Sequence, residues 1–388
     1  MPFYRKGKKY PEYPVILSKK YLNTYFFFMI RVLLIHPGII PHYRVPIYGY
    51  LSSYLKGYGF DFIVISDGIQ ADKPHTMDFQ YEEIPLSILR IAQFIMRQKI
   101  DVIIDFMELR NLYLFPTYLI AKGLLRLKMI YWGQGRDLLD ANSRLKNFAY
   151  ATEQAMCDAI ILYAEHLKKY IPKRFYKKTF VANNTLFLDY PGLTPGFTKA
   201  NVLTEYGIKT KKNIICMGRM QKRKRLDHLA EALSYMNRPD IGLILVGPDP
   251  EGVLDTINGD NVYKLGPIYG DKKFDLLAAS DVYCLPGAVG LSIIDAFHCG
   301  LPTVTEAGDE SAEIMYLKDG VNGFIVPRGN IKVLAQKLLL LLDDNQLRER
   351  FSLAAKQGIA ENANMDKLCA GFRDALFYAT GKKQNVSN

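Results

Sequence analysis

Arg219 and Lys224, two cations five residues apart in the run Gly218-Arg-Met-Gln-Lys-Arg-Lys-Arg225, are among the residues best suited to chemistry in this chain. A planar guanidinium fork and a point-charge ammonium at that spacing can grip a diphosphate from two directions. Alone, the run reads equally as a solvated basic loop. The second constellation is Tyr283-Cys-Leu-Pro-Gly-Ala-Val-Gly-Leu-Ser-Ile-Ile-Asp-Ala-Phe-His-Cys-Gly-Leu-Pro302, an apolar run, a turn holding Gly287 and Gly290, and a helix opening near Leu291 and Ser292. The unpaired N–H groups and positive dipole end of a helix start attract an anion, and glycines let it approach the backbone. Asp295, one helical turn further in, is placed to accept hydrogen bonds from vicinal hydroxyls such as those of a ribose. This stretch alone is also compatible with an ordinary packed βα unit. The two constellations on one sheet edge are better explained as a diphosphate site.

The elements that must position these residues alternate between strand and helix. A first series opens at Met29-Ile-Arg-Val-Leu-Leu-Ile35 and runs to the strand Thr179-Phe-Val-Ala182. A second opens at Asn213-Ile-Ile-Cys-Met-Gly218 and passes through Gly242-Leu-Ile-Leu-Val-Gly247 and Val262-Tyr-Lys-Leu-Gly266 to Gly323-Phe-Ile-Val326. Alternation of this kind means parallel sheets whose ligand edges lie at the C-terminal ends of the strands. The fold class expected is α/β, two doubly wound parallel-sheet domains. The boundaries are a basic and aromatic extension over residues 1–28, a first domain over 29–187, a linker over 188–212, a second domain over 213–361, and a final helix and polar tail over 362–388 that packs back toward the first domain. The prolines, glycines and lysines between 187 and 212 carry the linker assignment.

The first domain offers weaker candidates on its own ligand edge. His36, Gly38, His42 and Arg44 fall in a turn expected after the first strand, with Gln134 and Asn184 at two later strand ends. All six are candidates for an acceptor site or cleft, and His36 and His42 for orienting a donor or acceptor hydroxyl; His298, on the apolar side of a helix, reads as packed, and His75, His166 and His228 as surface or core residues. Fifty Lys and Arg against 39 Asp and Glu leave a net charge of +11, which favours anionic partners. No stacking series or zinc pattern accompanies the charge, which argues against nucleic acid. The five scattered cysteines form no C-x-x-C pair, and no clustered Cys and His suggests a metal. No run of 18 apolar residues occurs. The cluster Arg5-Lys-Gly-Lys-Lys9 with Tyr25-Phe-Phe-Phe28 reads either as an upstream extension or as an anchor to an anionic membrane surface. Residues 112–127, leucines interspersed with cations, read either as a core helix or as a second such face.

From Asn213 to Leu347 the chain resembles family 4 retaining glycosyltransferases of the GT-B fold. The resemblance rests on Gly218-Arg219 with Lys224, on Leu245-Val-Gly-Pro248, on Leu276-Leu-Ala-Ala-Ser-Asp-Val-Tyr-Cys-Leu-Pro286, on Gly290-Leu-Ser-Ile-Ile-Asp-Ala-Phe-His-Cys-Gly-Leu-Pro302 and on Asp319-Gly-Val-Asn-Gly-Phe-Ile-Val-Pro327. His36-Pro-Gly, Pro41-His-Tyr-Arg-Val-Pro46 and Trp132-Gly-Gln-Gly135 resemble segments of bacterial polysaccharide-type members. The resemblance implies two facing domains with an interdomain cleft. It also implies transfer of a sugar from a UDP- or GDP-sugar, with retention, to a glycan or lipid-linked acceptor at the cytoplasmic face of a membrane. Arg219 and Lys224 would neutralise the departing diphosphate, helped by backbone N–H groups at Leu291 and Ser292, with Gly218, Gly266, Gly287 and Gly290 lining the donor site. No cofactor or metal is implied. Asp295 matches the second acid of the family's E-x7-E motif, but the first falls at Gly287. Glu306, Asp309, Glu310 and Glu313 are the acids that could replace it. Gln134 stands where relatives often carry histidine. The rival readings are a degenerate nucleotide- or glycan-binding subunit and a sugar-nucleotide epimerase.

Overall fold

The computed structural model describes residues 29–383, apart from 71–76, 107–114, 138–142, 189, 191 and 309–310. The expected extension over 1–28, His75, Asp309 and Glu310 lie outside the described residues. The chain forms two compact units, one of residues 1–187 with 365–388 and the other of residues 188–364.

The first unit is built on β1 (Ile30–Ile40), α1 (Arg44–Lys56), β2 (Phe60–Ile69), β3 (Gln80–Glu83), α2 (Ile88–Gln98), β4 (Val102–Phe106), α3 (Phe115–Gly123), β5 (Lys128–Gly133), α4 (Arg144–Met156), β6 (Ala159–Leu162) and β7 (Thr179–Val181). Its seven strands lie in the order β3-β2-β1-β4-β5-β6-β7, and every pairing is parallel. Runs such as Val-Leu-Leu-Ile at residues 32–35 and Ala-Ile-Ile-Leu at 159–162 are fully buried, as strands covered on both faces must be. One expectation is corrected here. The turn foreseen at His36-Pro-Gly-Ile-Ile is not a turn, because β1 continues to Ile40 through a register shift between His36 and Ile39 and pairs Ile39 with Gly68. A bulge absorbs Pro37, which cannot donate to the ladder, and Gly38 takes φ +76° within it.

The second unit comprises α5 (Lys199–Glu205), β8 (Lys212–Met217), α6 (Leu226–Met236), β9 (Ile241–Val246), β10 (Val262–Leu265), α7 (Asp271–Ala278), β11 (Val282–Cys284), α8 (Ser292–His298), β12 (Thr303–Glu306), β13 (Gly323–Val326), α9 (Ile331–Asp343) and α10 (Asn345–Asn362). Its six strands run β10-β9-β8-β11-β12-β13, again all parallel. The stretch expected to be a linker belongs to this unit and contains α5. Thr198 caps α5 by accepting from the Asn201 amide at 3.1 Å, and the Thr194 amide donates to Asp275 on α7 at 3.1 Å.

The last helix, α11 (Met365–Thr380), packs in the first unit against β5, β6, β7 and α1. Phe372 meets Trp132 edge-on at 4.8 Å and Phe377 meets Phe60 at 5.4 Å. Gly371 permits the approach, since a Cβ there would stand 2.3 Å from the Val181 carbonyl oxygen. Among the described residues no helix is long and apolar enough to cross a membrane.

Candidate functional site

At the C-terminal edge of the second sheet, the loops after β8, β9 and β11 are tied together by close backbone contacts, those at Gly247 and Gly287 possible only for glycine. Gly218 follows β8 at φ +132° and donates to the Val246 carbonyl at 2.9 Å. Gly247 crosses it so closely that a Cβ would fall 2.0 Å from the Gly218 carbonyl oxygen. Beyond Gly218, residues 222–224 form a single tight turn. On one side Glu251 holds it, accepting from the Lys222 amide at 3.0 Å and from Gln221 Nε2 at 3.3 Å. On the other side the turn clasps the stretch after β11: the Gly287 amide donates to the Lys224 carbonyl at 2.8 Å, and the Ala288 amide to the Arg223 carbonyl at 3.2 Å.

The two predicted cations therefore border one turn, in different surroundings. Lys224 is buried, and its ammonium donates to the carbonyl oxygens of Ala288 and, at 3.2 Å, of Val289. A Cβ at Gly290 would stand 3.6 Å from that ammonium. Arg219 is exposed and makes no side-chain hydrogen bond or ion pair among the described residues. The amides of Leu291 and Ser292 have no backbone acceptor among the described residues, and both sit at the opening of α8. Ser292 Oγ lies 2.7 Å from the Tyr283 hydroxyl, which donates to the Met217 carbonyl at 3.0 Å and so joins β8, β11 and α8. Gly266, after β10, is exposed with open space around its α-carbon.

Asp295 is buried on α8, and its carboxylate already has a partner. Lys273 Nζ on α7 lies 2.8 Å from Asp295 Oδ1, near enough for an ion pair but not aligned as a hydrogen bond. His298 on the same helix is half-buried against Tyr190 and Phe274, which matches its reading as a packed residue. Gly287 has a φ outside the left-handed region, so space alone requires glycine there: a Cβ would meet the Arg223 carbonyl oxygen at 2.0 Å and Lys224 backbone carbons at 2.6 Å. The position that would carry the first acid of E-x7-E is filled by main chain.

Glu306, considered as a replacement for that acid, is corrected. It is fully buried at the end of β12, with Arg225 Nη1 at 2.6 Å, His228 Nδ1 at 2.7 Å and the Gly329 amide at 3.1 Å. His228 is accordingly a half-buried partner of Glu306 rather than a bland surface or core residue. Sequence reasoning missed Arg225 and His228, which lie 81 and 78 residues from Glu306. Glu313 is buried on the short helical turn Ala312–Tyr316.

In the first unit, burial divides the six acceptor candidates. His36 is buried with Nδ1 2.7 Å from the Tyr48 hydroxyl, and desolvation, with Arg44 adding to it, lowers its pKa to about 3, so the ring is neutral. Arg44 is buried on α1 with its guanidinium 5.0 Å from the Trp132 ring, and Asn184 is buried after β7. The Gly38 amide donates to Asp67 at 3.0 Å. His42, edge-on to Tyr43, and Gln134 retain partial exposure. Sequence reasoning also missed a buried carboxyl pair. Asp105 at the end of β4 accepts from the Tyr118 hydroxyl at 2.6 Å, and desolvation raises its pKa to about 6; burial raises Glu153 on α4 as well, with Asp105 adding to it.

Residues 200–358 match the family model described as glycosyl transferases group 1. The matched stretch lies within the second unit. Over 158 residues the chain is 30% identical to the phosphatidyl-myo-inositol mannosyltransferase of Mycobacterium leprae, an alignment covering 38% of this chain and 42% of that one. Over 185 residues it is 26% identical to the N-acetyl-alpha-D-glucosaminyl L-malate synthase of Bacillus anthracis, covering 45% and 47%. The chain thus spans under half the length of these two relatives. The crystal structure of Anabaena HepE in complex with UDP superposes with a TM-score of 0.73 over 90% of this chain and 99% of that one, at 16% identity. Two all-parallel α/β sheets with these neighbours make the fold GT-B.

Proposed function

We propose that the chain is a retaining glycosyltransferase that moves a sugar from a nucleoside diphosphate sugar to a glycan or lipid-linked acceptor. The observation that carries this reading is the pairing of an exposed, unengaged Arg219 with the buried Lys224 ammonium around a turn that has no carboxylate of its own. As the glycosidic bond to the donor breaks, negative charge grows on the leaving diphosphate. Arg219 would meet it from the solvent side, Lys224 from beneath the turn, and the Leu291 and Ser292 amides would donate to its oxygens. Donors already in place where charge develops lower the barrier without reorganising. Positive charge supplied by the protein would make a metal ion unnecessary. The relatives' names, an inositol-lipid mannosyltransferase and a glucosaminyl malate synthase, and the UDP complex of HepE support the donor class.

The donor sugar would be held without the family's first carboxylate, and the main chain packed at Gly287 is what favours the second reading, a subunit that binds nucleotide or glycan without transfer. The acceptor would lie against the first unit, where His42 and Gln134 are the candidates with exposed surface. A membrane-bound acceptor is supported by α3 and its following turn, which expose Leu119 (49%), Leu124 (78%) and Leu125 (38%) beside the exposed cations Arg126 and Lys128.

Thermal stabilisation of the purified chain by UDP, GDP, ADP and CMP, with Arg219→Ala in parallel, tests the reading. A ligand at 100 times its Kd adds about 2.7 kcal/mol. One nucleoside diphosphate is expected to stabilise the parent and not the variant. Stabilisation by none refutes the donor site, and diphosphate binding without product in assays with its acceptor selects the second reading.

A further inference from the structure

We infer that Glu306 is a positioning residue for the diphosphate-binding turn, acting through Arg225 and His228; the inference rests on the function proposed above. Glu306 sits where three loops of the second sheet's C-terminal edge converge. Its own amide donates to the Pro286 carbonyl at 3.2 Å, which pins the start of the glycine turn. Its Oε2 takes Arg225 Nη1 at 2.6 Å and the Gly329 amide at 3.1 Å, and its Oε1 takes His228 Nδ1 at 2.7 Å. No part of the side chain is exposed, so these contacts are made in a medium where a carboxylate is held only by its partners.

The consequence falls on Lys224. Arg225 stands at φ +54°, a left-handed conformation that non-glycine residues rarely adopt. The ion pair to Glu306 holds it there, at the junction between the tight turn of residues 222–224 and α6. That junction fixes where the Lys224 and Arg223 carbonyls meet the Gly287 and Ala288 amides, and where the Lys224 ammonium enters the turn. Glu306 therefore sets the shape of the anion site without lying in it. Removing its charge frees Arg225 to relax and lets the turn and Lys224 drift, and placements off by about 1 Å are costly to a preorganised site.

Binding of UDP, UMP, GDP and GMP to the full chain, measured by titration calorimetry, separates positioning from bulk structure. In the parent, one diphosphate is expected to bind at least about 10-fold more tightly than its monophosphate, a difference of about 1.4 kcal/mol. In Glu306→Gln that ratio should fall to about threefold or less, with the monophosphate Kd unchanged. A folded Glu306→Gln that keeps the parent's ratio overturns the inference. Equal binding of diphosphate and monophosphate by the parent overturns instead the proposed function on which it rests. Should Glu306→Gln fail to fold, Arg225→Gln is expected to lose the ratio and Arg225→Lys to restore part of it; an unchanged ratio in Arg225→Gln refutes the positioning role.

Discussion

Restoring the family's first acid at Gly287 should damage this protein rather than improve it. The minimal perturbation is Gly287→Ala. Its Cβ would arrive 2.0 Å from the Arg223 carbonyl oxygen and 2.6 Å from two backbone carbons of Lys224, and no rotamer moves a Cβ away. The two main-chain segments must separate, which breaks the hydrogen bonds from Gly287 and Ala288, about 1 kcal/mol each. Overpacking of this kind adds about 1–3 kcal/mol, for a total of roughly 3–5 kcal/mol. In a unit of this size each kcal/mol moves Tm by about 2–4 °C, so the expected loss is roughly 6–20 °C. Calorimetric melting is the assay to use, because Trp132, the chain's sole tryptophan, lies in the first unit and its fluorescence reports there. Gly287→Glu should melt no higher than Gly287→Ala and turn over no faster than the parent. A Gly287→Ala Tm within about 2 °C of the parent, or a more active Gly287→Glu, would refute the reasoning.

Lys224→Ala should lower Tm, because about 1–3 kcal/mol attaches to leaving buried carbonyls without their donor, whereas the exposed Arg219→Ala should leave Tm unchanged while lowering kcat by about 10²–10³. Thermal melts beside steady-state kinetics check both; equal Tm losses would count against the division between the two cations. The Asp105–Glu153 pair has raised carboxyl pKa values, so it contributes stability below about pH 4 that is lost as pH rises through about 6 and beyond. Glu153→Gln should therefore gain stability over the parent at pH 8 and lose that advantage at pH 4, read by Trp132 fluorescence, and a constant difference would show that the pair is not titrating. Vesicles containing anionic lipid should sediment the chain in a salt-sensitive way, with Leu124→Gln weakening the effect; binding to zwitterionic vesicles alone would contradict the part given to Arg126 and Lys128.

The alternation of strands and helices was plain in the sequence because fully parallel strands, buried on both faces, read as unbroken apolar runs such as residues 32–35 and 241–246. The turn proposed to hold an anion drew notice for a related reason, since its glycines and cations gather at the strand ends where a parallel sheet has its ligand edge. What stayed hidden depended on contacts distant along the chain. Glu306 looked like a spare acid on a loop because nothing local announces that Arg225 and His228 will enclose it. The bulge at His36-Pro-Gly resembled a turn because proline and glycine mark both. The short helix α5 is too brief for its periodicity to register, and its anchors, Thr198 and the Thr194–Asp275 contact, involve residues that also suit a linker.

The discontinuity of the first unit also imposes an order on biosynthesis. α11 supplies Phe372 and Phe377 to a core whose other walls are β5, β6, β7 and α1, yet the whole second unit is translated in between. At about 5–20 residues per second, the interval between the emergence of β7 and of α11 is roughly 10–35 s. During that time Trp132 lacks Phe372 and Phe60 lacks Phe377, and the apolar side of β5–β7 is open to whatever chaperone or neighbouring chain meets it first. A ribosome stalled within the second unit would thus display the same sticky sheet face each time, whatever codon stopped it.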